Sequence, residues 1–349
     1  MRRIFTSLLV WATATEAFVS NRERDLSFSW PQSPPQPPPR SKSARYSNRL
    51  DKGFNLLEIA SGVVPQGAIV QTAKEGWKFA WQRMMAELAP QDKSGSYVRP
   101  SYPFQGRIGT PQFPDEPERY HLYCGNPCPW CHRTKLAVNM LGFDSTQIGI
   151  TMLEDNPVKA SRGGWIFSAG QPDPLGNRDL RALYDQLSPG YQGRCTAPLL
   201  VDKKARKIVS NESSDIVRML NAASLGKKDK VLDLYPKDLE KEIDETNEWT
   251  YQLLNNGVYR CGFSTTQSAY DRASAQVREG LERCEAILQK QHYLCGSTFT
   301  EADLRLLPTI LRFDGAYAPL FKVGLHGRLV LSVLFCVAQL CLTSSLLLC

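Results

Sequence analysis

A chain of 349 residues, 42% hydrophobic and 22% charged, has the composition of a globular protein and the length to bury two cores. Much of its net charge of +7 sits in the first fifty residues, and no basic run with interleaved aromatics follows, which argues against a nucleic-acid partner. Ten cysteines scattered over this length make no small disulfide scaffold and fit a reducing compartment.

Residues 1–52 read as a targeting leader and linker. Met1-Arg-Arg3 precedes the apolar run Ile4 to Trp11, small residues follow at Ala14 and Ala17, and beyond Phe18 the chain is rich in Ser and Arg. Six prolines between Pro31 and Pro39 make an extended, unpacked linker. Residues 53–118 form an N-terminal extension with an amphipathic helix between Gly67 and Ala89. Its stripe of Val70, Trp77, Trp81, Met84 and Leu88 is expected to dock on the domain that follows, a membrane surface being the competing reading.

At Cys124-Gly-Asn-Pro-Cys128-Pro-Trp-Cys131-His132 the chain offers three chemistries. Cys124, Cys128 and Cys131 have the C-x3-C-x2-C spacing of a site-differentiated iron–sulfur cluster, and Cys128 to His132 reads as a c-type haem attachment site. The third is a thioredoxin-type strand–turn–helix, with a strand at Tyr120–Tyr123 and Cys128 at the helix start. The neighbours favour the third. Leu136, Met140 and Leu141 share one helical face, Gly142 is a stop, and Gln147–Met152 is a second strand. Such a helix aims free N–H groups and the positive end of its dipole at the sulfur, and with Arg133 and His132 close by the setting stabilises a thiolate. The cluster needs a longer βα barrel. The haem needs a second axial ligand, which none of His121, His292 and His326 is placed to supply, and zinc needs a fourth partner, so no metal is expected. A buried cysteine cluster without chemistry is the plain alternative.

Downstream, Thr196-Ala197-Pro198 to Asp202 is a strand opening with Pro, paired with Lys207–Ser210 across the polar turn Lys203–Arg206. Asn211 to Asp215 supplies caps for a helix through Ile216, Val217, Met219 and Leu220. In a thioredoxin-like domain a cis-Pro198 would face the cysteine and free the Ala197 backbone for a bound peptide, while the Glu212–Ser213 helix start would offer N–H groups to a carboxylate. From Leu232 onward the pattern is helical: Pro236–Leu254 with Pro236 in its first turn, Thr266–Gln291, and a helix through Leu304–Leu311 opened by the capping-box spacing Thr300-x-x-Asp303. The expected fold class is α/β plus all-α: a thioredoxin-like domain over 119–223, then a helical domain over 232–322, with the ligand cleft between them.

These runs resemble the glutathionyl-hydroquinone reductases, the omega-like Xi class of glutathione transferases. The matching stretches are Arg119–Tyr123, Cys128-Pro-Trp130, Gly163–Phe167, Leu180–Tyr184, Ala197-Pro198, Asn211–Ser214, Asn255–Phe263, Thr300–Asp303 and Arg312-Phe-Asp314. The resemblance spans roughly Tyr97 to Lys322, and Cys131, where many members carry Ala, is similar to the plant and algal plastid branch. It implies a glutathione-transferase-type helical domain, glutathione as co-substrate and a homodimer. Cys128 would attack the sulfur of a glutathionyl-hydroquinone, release hydroquinone, and form a mixed disulfide that a second glutathione resolves. Glu212 and Ser213 would bind the γ-glutamyl end, Ala197 the cysteinyl backbone, and Trp165 and Arg181 would line the glutathione pocket. Tyr259 would donate its hydroxyl to the quinone-derived oxygen. Cys131 is a candidate resolving thiol, although the monothiol route is preferred. The leader is similar to bipartite plastid leaders, with mitochondrion and cytoplasm as competing destinations.

After Phe321-Lys322 the chain departs from that pattern, which continues into further helices carrying another substrate-site Tyr. Residues 323–349 form a divergent hydrophobic tail, whose twenty-one uncharged residues Leu329–Cys349 span ~31 Å as a helix, enough to cross a bilayer. A tail anchor flanked by Arg328 is one reading. A splice or gene-level divergence at Val323, leaving the helical domain truncated, is preferred. Two functional readings compete with reduction: glutathione conjugation to electrophiles, and an inactive module that only holds glutathione or a quinone.

Overall fold

The computed structural model describes residues 71–77, 79, 89–156, 159, 164–227 and 232–323. The leader, the proline-rich linker, the tail beyond Val323, and Val70, Trp81, Met84 and Leu88 of the amphipathic stripe lie outside these residues. The chain divides into two units, Met1–Ala73 and Lys74–Cys349, and the second holds every element named below.

Strand β1 (Tyr120–Gly125) is buried along its whole length because it occupies the middle of a five-stranded sheet. It runs parallel to β2 (Ile148–Asp155) and antiparallel to β4 (Leu199–Asp202). Antiparallel β3 (Trp165–Phe167) flanks β2, and β5 (Lys207–Ser210) flanks β4, giving the order β3-β2-β1-β4-β5. Helix α1 (Pro129–Met140) joins the two parallel strands. Pro129 suits its first turn, where an N–H would have no helical partner. Gly142 ends it in the left-handed conformation, φ 69°, with its N–H on the Asn139 carbonyl. Helix α2 (Leu180–Leu187) is capped by Asp179, and α3 (Ser213–Ala222) by Glu212. The expected second strand and the hairpin across Lys203–Arg206 are both present. The strand opens at Leu199, not Thr196, because the Thr196 carbonyl is taken by the Tyr184 hydroxyl at 2.9 Å. Tyr120, Leu122, Leu183, Leu199, Ile216 and Leu220 pack the core about this sheet.

The helical part comprises α4 (Glu240–Thr250), α5 (Gly257–Gly262), α6 (Gln267–Leu288), α7 (Glu301–Leu311) and the short α8 (Ala318–Leu320). The continuous helix expected from Pro236 to Leu254 is not observed. Pro236 accepts from the Leu239 N–H in a turn, α4 starts at Glu240, and Tyr251–Asn255 widens into a π-type turn closed from the Asn256 N–H to the Tyr251 carbonyl. A second such turn spans Phe313–Tyr317. Thr300 and Asp303 form the expected reciprocal capping box at the head of α7. Ile243, Leu254, Val277, Leu281, Ile310 and Phe313 lie in a separate core. Helix α1 packs against α3 on its own sheet and against α7 of the helical part, so its first turn faces the joint.

Residues 89–118 run over both parts. Gln91 donates to the Phe263 carbonyl at 2.9 Å, and the Tyr97 and Phe263 rings meet at 5.4 Å. Gly106 donates to the Val209 carbonyl at 2.8 Å, extending the edge beside β5, and Phe113 enters the sheet-side core. Trp77, the one described member of the amphipathic stripe, is 74% exposed.

Candidate active site

Cys128 is the N-cap residue of α1, with the turn at Gly125 before it and the Trp130 and Cys131 N–H groups behind it. Its thiol faces the Ala197 carbonyl at 3.6 Å, across the cis Ala197–Pro198 bond. The sulfur is held down to about 7, first by a hydrogen bond from Cys131, then by those two backbone N–H groups and the charge of Arg99. Cys131 itself is fully buried: its sulfur accepts from the Gly125 N–H at 3.2 Å, and burial with its two thiol neighbours pushes it well above the ordinary thiol range. Cys131 therefore stays protonated at neutral pH and serves Cys128 as a donor.

His132 does not supply the charge expected of it. Its Nδ1 accepts from Arg312 at 3.0 Å, and burial plus that guanidinium pull it down to about 4. The same Arg312 reaches the Asn126 carbonyl at 3.5 Å, tying the end of α7 to the loop before Cys128. Cys124 is buried, with its thiol on the Cys131 carbonyl at 3.8 Å and beside the Thr134 hydroxyl at 3.4 Å.

Glu212 caps α3 through Ser214, whose N–H and hydroxyl both donate to Oε1 at 3.0 Å. Ser213 is buried beside it, its Oγ accepting from Arg133 at 3.5 Å. Trp165, at the start of β3, lays its ring on the loop that leads to Cys128: a Cβ on Gly125 would meet the indole at 2.3 Å. Arg181 is directed elsewhere. It pairs with Asp185 and donates to the Tyr191 carbonyl at 3.0 Å and to the Cys195 sulfur at 3.7 Å, bracing the segment that leads into Ala197. Tyr259 stacks on Trp130 at 5.9 Å and shares a hydrogen bond with Tyr317 at 3.3 Å. Burial pushes both hydroxyls up, and each is raised further by a charge on Cys128. Phe321 lies against both tyrosine rings at 5.6 and 5.5 Å.

The structure thus gathers Cys128, Cys131, Ala197, Trp165 and Tyr259 around one loop, with Glu212 and Ser213 at the adjoining helix start. It adds residues that sequence reasoning missed. Trp130 was legible in the motif but given no task. Tyr317 lies three residues past the matched run ending at Asp314, and that proximity was its only signal. Arg99 comes from an irregular stretch without periodicity and left no signal. Beside Glu212 a cavity of about 580 Å³ opens between the sheet-side and helical parts, and its walls include Arg99, Arg133, Asp244 and Arg305. Those walls are charged, whereas the rings of Tyr259, Tyr317, Phe263 and Phe321 form an aromatic cluster against Trp130.

Two domain families match the chain: the glutathione S-transferase N-terminal domain over residues 127–223 and the C-terminal domain over residues 267–330. Glutathionyl-hydroquinone reductase YqjG of Escherichia coli (strain K12) is 44% identical over 226 residues, covering 63% of this chain and 68% of that protein. Glutathionyl-hydroquinone reductase PcpF of Sphingobium chlorophenolicum is 38% identical, over 72% of this chain and 78% of its own length. Among solved structures, glutathione transferase Xi 1 of Trametes versicolor superposes with a TM-score of 0.65 at 38% identity, over 71% of this chain and 87% of that one. The glutathione-bound structure of YqjG gives 0.59 at 42% identity, over 64% and 76%. On this fold and these relatives, the chain belongs to the glutathionyl-hydroquinone reductases, the Xi class of glutathione transferases.

Proposed function

We infer that this chain reduces glutathionyl-hydroquinones with glutathione, through a mixed disulfide at Cys128. The observation that carries the reading is the half-buried Cys128 sulfur at a helix start, opposite the Ala197 carbonyl, with Tyr259 stacked on Trp130 of the same first turn. The Cys128 thiolate attacks the glutathionyl sulfur, an S–S bond forms, and the carbon–sulfur bond to the ring breaks. The ring carbon takes the electron pair and a proton and leaves as hydroquinone. A second glutathione thiolate then attacks the mixed disulfide, giving glutathione disulfide and restoring Cys128. The net change is one glutathione thiol and the thioether sulfur joined as a disulfide, and one aryl carbon reduced. The Tyr hydroxyls hold the phenolic oxygen, where charge develops as the ring accepts electrons.

Glutathione conjugation fits less well, since a Cys thiolate at this position competes with the glutathione sulfur it would have to leave free. The test is turnover of a glutathionyl-naphthohydroquinone by the full chain and by Cys128→Ser, following hydroquinone and glutathione disulfide by chromatography. Loss of both products in the variant is expected; unchanged turnover sinks the mechanism, and binding without turnover in the parent favours the inactive module.

The remaining readings rest on sequence. The leader 1–52, with its apolar start, Phe18 and basic stretch, supports delivery to a plastid, and Cys131 supports the plant and algal branch. A fluorescent fusion of residues 1–52 that stays outside plastids overturns that assignment. The homodimer rests on the family alone, and sedimentation of the full chain decides it. Among the described residues no helix is long and apolar enough to cross a membrane.

A further inference from the structure

Arg312 opens the matched run Arg312-Phe-Asp314, and no step of the reaction above uses it. It closes α7, whose last turn tightens: the Arg312 N–H turns to the Thr309 carbonyl at 3.3 Å, which leaves the Pro308 carbonyl to the Arg312 side chain at 3.2 Å. The same Nη1 donates to His132 Nδ1 at 3.0 Å, and Nη2 reaches the Asn126 carbonyl at 3.5 Å. Burial, then the guanidinium, hold that imidazole down to about 4, so Nδ1 stays an acceptor at neutral pH. All three acceptors are neutral, so what these bonds fix is direction, not charge. His132 in turn donates its N–H to the Cys128 carbonyl at 3.1 Å, one turn into α1.

The backbone of Arg312 serves the other side. Its carbonyl accepts from the N–H groups of Ala316 at 2.9 Å and Tyr317 at 3.2 Å, closing the wide turn that carries Tyr317. Tyr317 bonds to Tyr259 at 3.3 Å, Tyr259 stacks on Trp130 at 5.9 Å, and Trp130 lies two residues past Cys128. The contacts therefore close a circuit from Cys128 through Trp130, Tyr259, Tyr317, Arg312 and His132 back to Cys128.

A glutathionyl-hydroquinone has to meet two members of this circuit, its sulfur the Cys128 thiolate and its phenolic oxygen a Tyr hydroxyl. We propose that Arg312 is a positioning residue for the reduction, holding the tyrosine pair and the Cys128 turn at the separation that one such substrate spans. The proposal rests on the reductive reading above and adds a rule: Arg312 matters for substrates that use both groups and little for those that use the sulfur alone. A misplacement of about 1 Å between reacting groups costs on the order of a hundredfold in rate. The Cys128 turn itself keeps a separate bond, from the Cys128 N–H to the Gly125 carbonyl at 3.1 Å, when the side chain of Arg312 is cut.

The experiment assays the full chain and its Arg312→Gln variant on two substrates with glutathione varied. One is a glutathionyl-naphthohydroquinone. The other is the mixed disulfide of glutathione and 2-mercaptoethanol: Cys128 attacks its glutathionyl sulfur, 2-mercaptoethanol leaves, and there is no phenolic oxygen to hold. Arg312→Gln is expected to lower kcat on the first roughly tenfold to hundredfold with the KM for glutathione unchanged, and to alter the second by less than about threefold. Arg312→Lys, whose ammonium still reaches one acceptor, is expected to recover part of the loss. His132→Leu cuts the same bond from α1, is expected to give the same split between substrates, and decides the matter if Arg312→Gln does not fold. Equal losses on both substrates, or undiminished kcat on the first, overturn the positioning role and leave the thiol chemistry standing. A parent chain that turns over the disulfide alone, or neither substrate, overturns the reductive reading itself.

Discussion

The hydroxyls of Tyr259 and Tyr317 stand 3.3 Å apart, one on α5 and the other at the end of the wide turn after α7. One hydroxyl can donate to a phenolic oxygen while the other fixes its orientation. Tyr259→Phe and Tyr317→Phe are each expected to lower kcat roughly tenfold to hundredfold on a glutathionyl-hydroquinone. The double variant should fall no further than the worse single one, because the two act as a unit. Additive losses in steady-state rates contradict that coupling.

Alkylation of Cys128 by iodoacetamide is expected to follow a midpoint near pH 7, against 9.0 for an ordinary thiol. Since the folded value lies below the unfolded one, the thiolate adds stability that is full above pH 9 and fades as pH falls through 7. Cys131→Ala removes the largest cause of the depression and should move the midpoint upward without stopping turnover. A midpoint that stays put in mass-spectrometric kinetics would show that Cys131 does nothing for the thiolate.

Gly125→Ala drives a methyl into the Trp165 indole, which lies 2.3 Å from the Cβ position. A loss of about 1–3 kcal/mol in unfolding free energy is expected. Trp165→Leu in the same chain should return part of it in a denaturant titration, at the expense of glutathione affinity. Equal stability of Gly125→Ala and parent contradicts the close approach.

Glu301 is fully buried at the head of α7 and accepts from Arg218 at 2.8 Å, Arg305 at 3.0 Å and Asn247 at 2.8 Å. Its carboxylate joins α3 of the sheet side to α4 and α7. Glu301→Ala leaves Arg305 without its ion pair and Arg218 with Asp244 alone, and is expected to cost about 3–5 kcal/mol. Thermal unfolding followed by circular dichroism measures it, and a shift below one degree contradicts the assignment.

The parts of this molecule that were legible in the chain are those written in local chemistry. Leu136, Met140 and Gly142 gave α1 its face and its stop, Pro198 marked the strand entry, and Thr300 with Asp303 wrote a cap that the fold uses unchanged. The wide turn at Tyr251–Asn255 was not legible. Nothing in Gln252-Leu253-Leu254 separates it from ordinary helix, and its cause is distant: Asn255 donates to Thr309 at 2.9 Å and to the Arg305 carbonyl at 3.3 Å. Arg99 escaped for a related reason. Its partners, Tyr102 apart, are Trp130 and a cavity assembled from both parts, and no pattern within the segment announces them. Arg181 and His132 show the converse. Both have the right chemistry near the right motif, and each is turned aside by a neighbour: Asp185 one helical turn on, which the spacing offers, and Arg312 from far along the chain, which it does not.

Residues 89–118 touch Phe263 with one end and Val209 with the other, and lend Phe113 to the inner core on the way. Cutting the chain down to its two matched stretches, 127–223 and 267–330, therefore discards a strap along with Arg99. Grafting either half onto a foreign partner meets the same obstacle. Part of the fit between the halves comes from a third piece that belongs to neither, and all three have to change together.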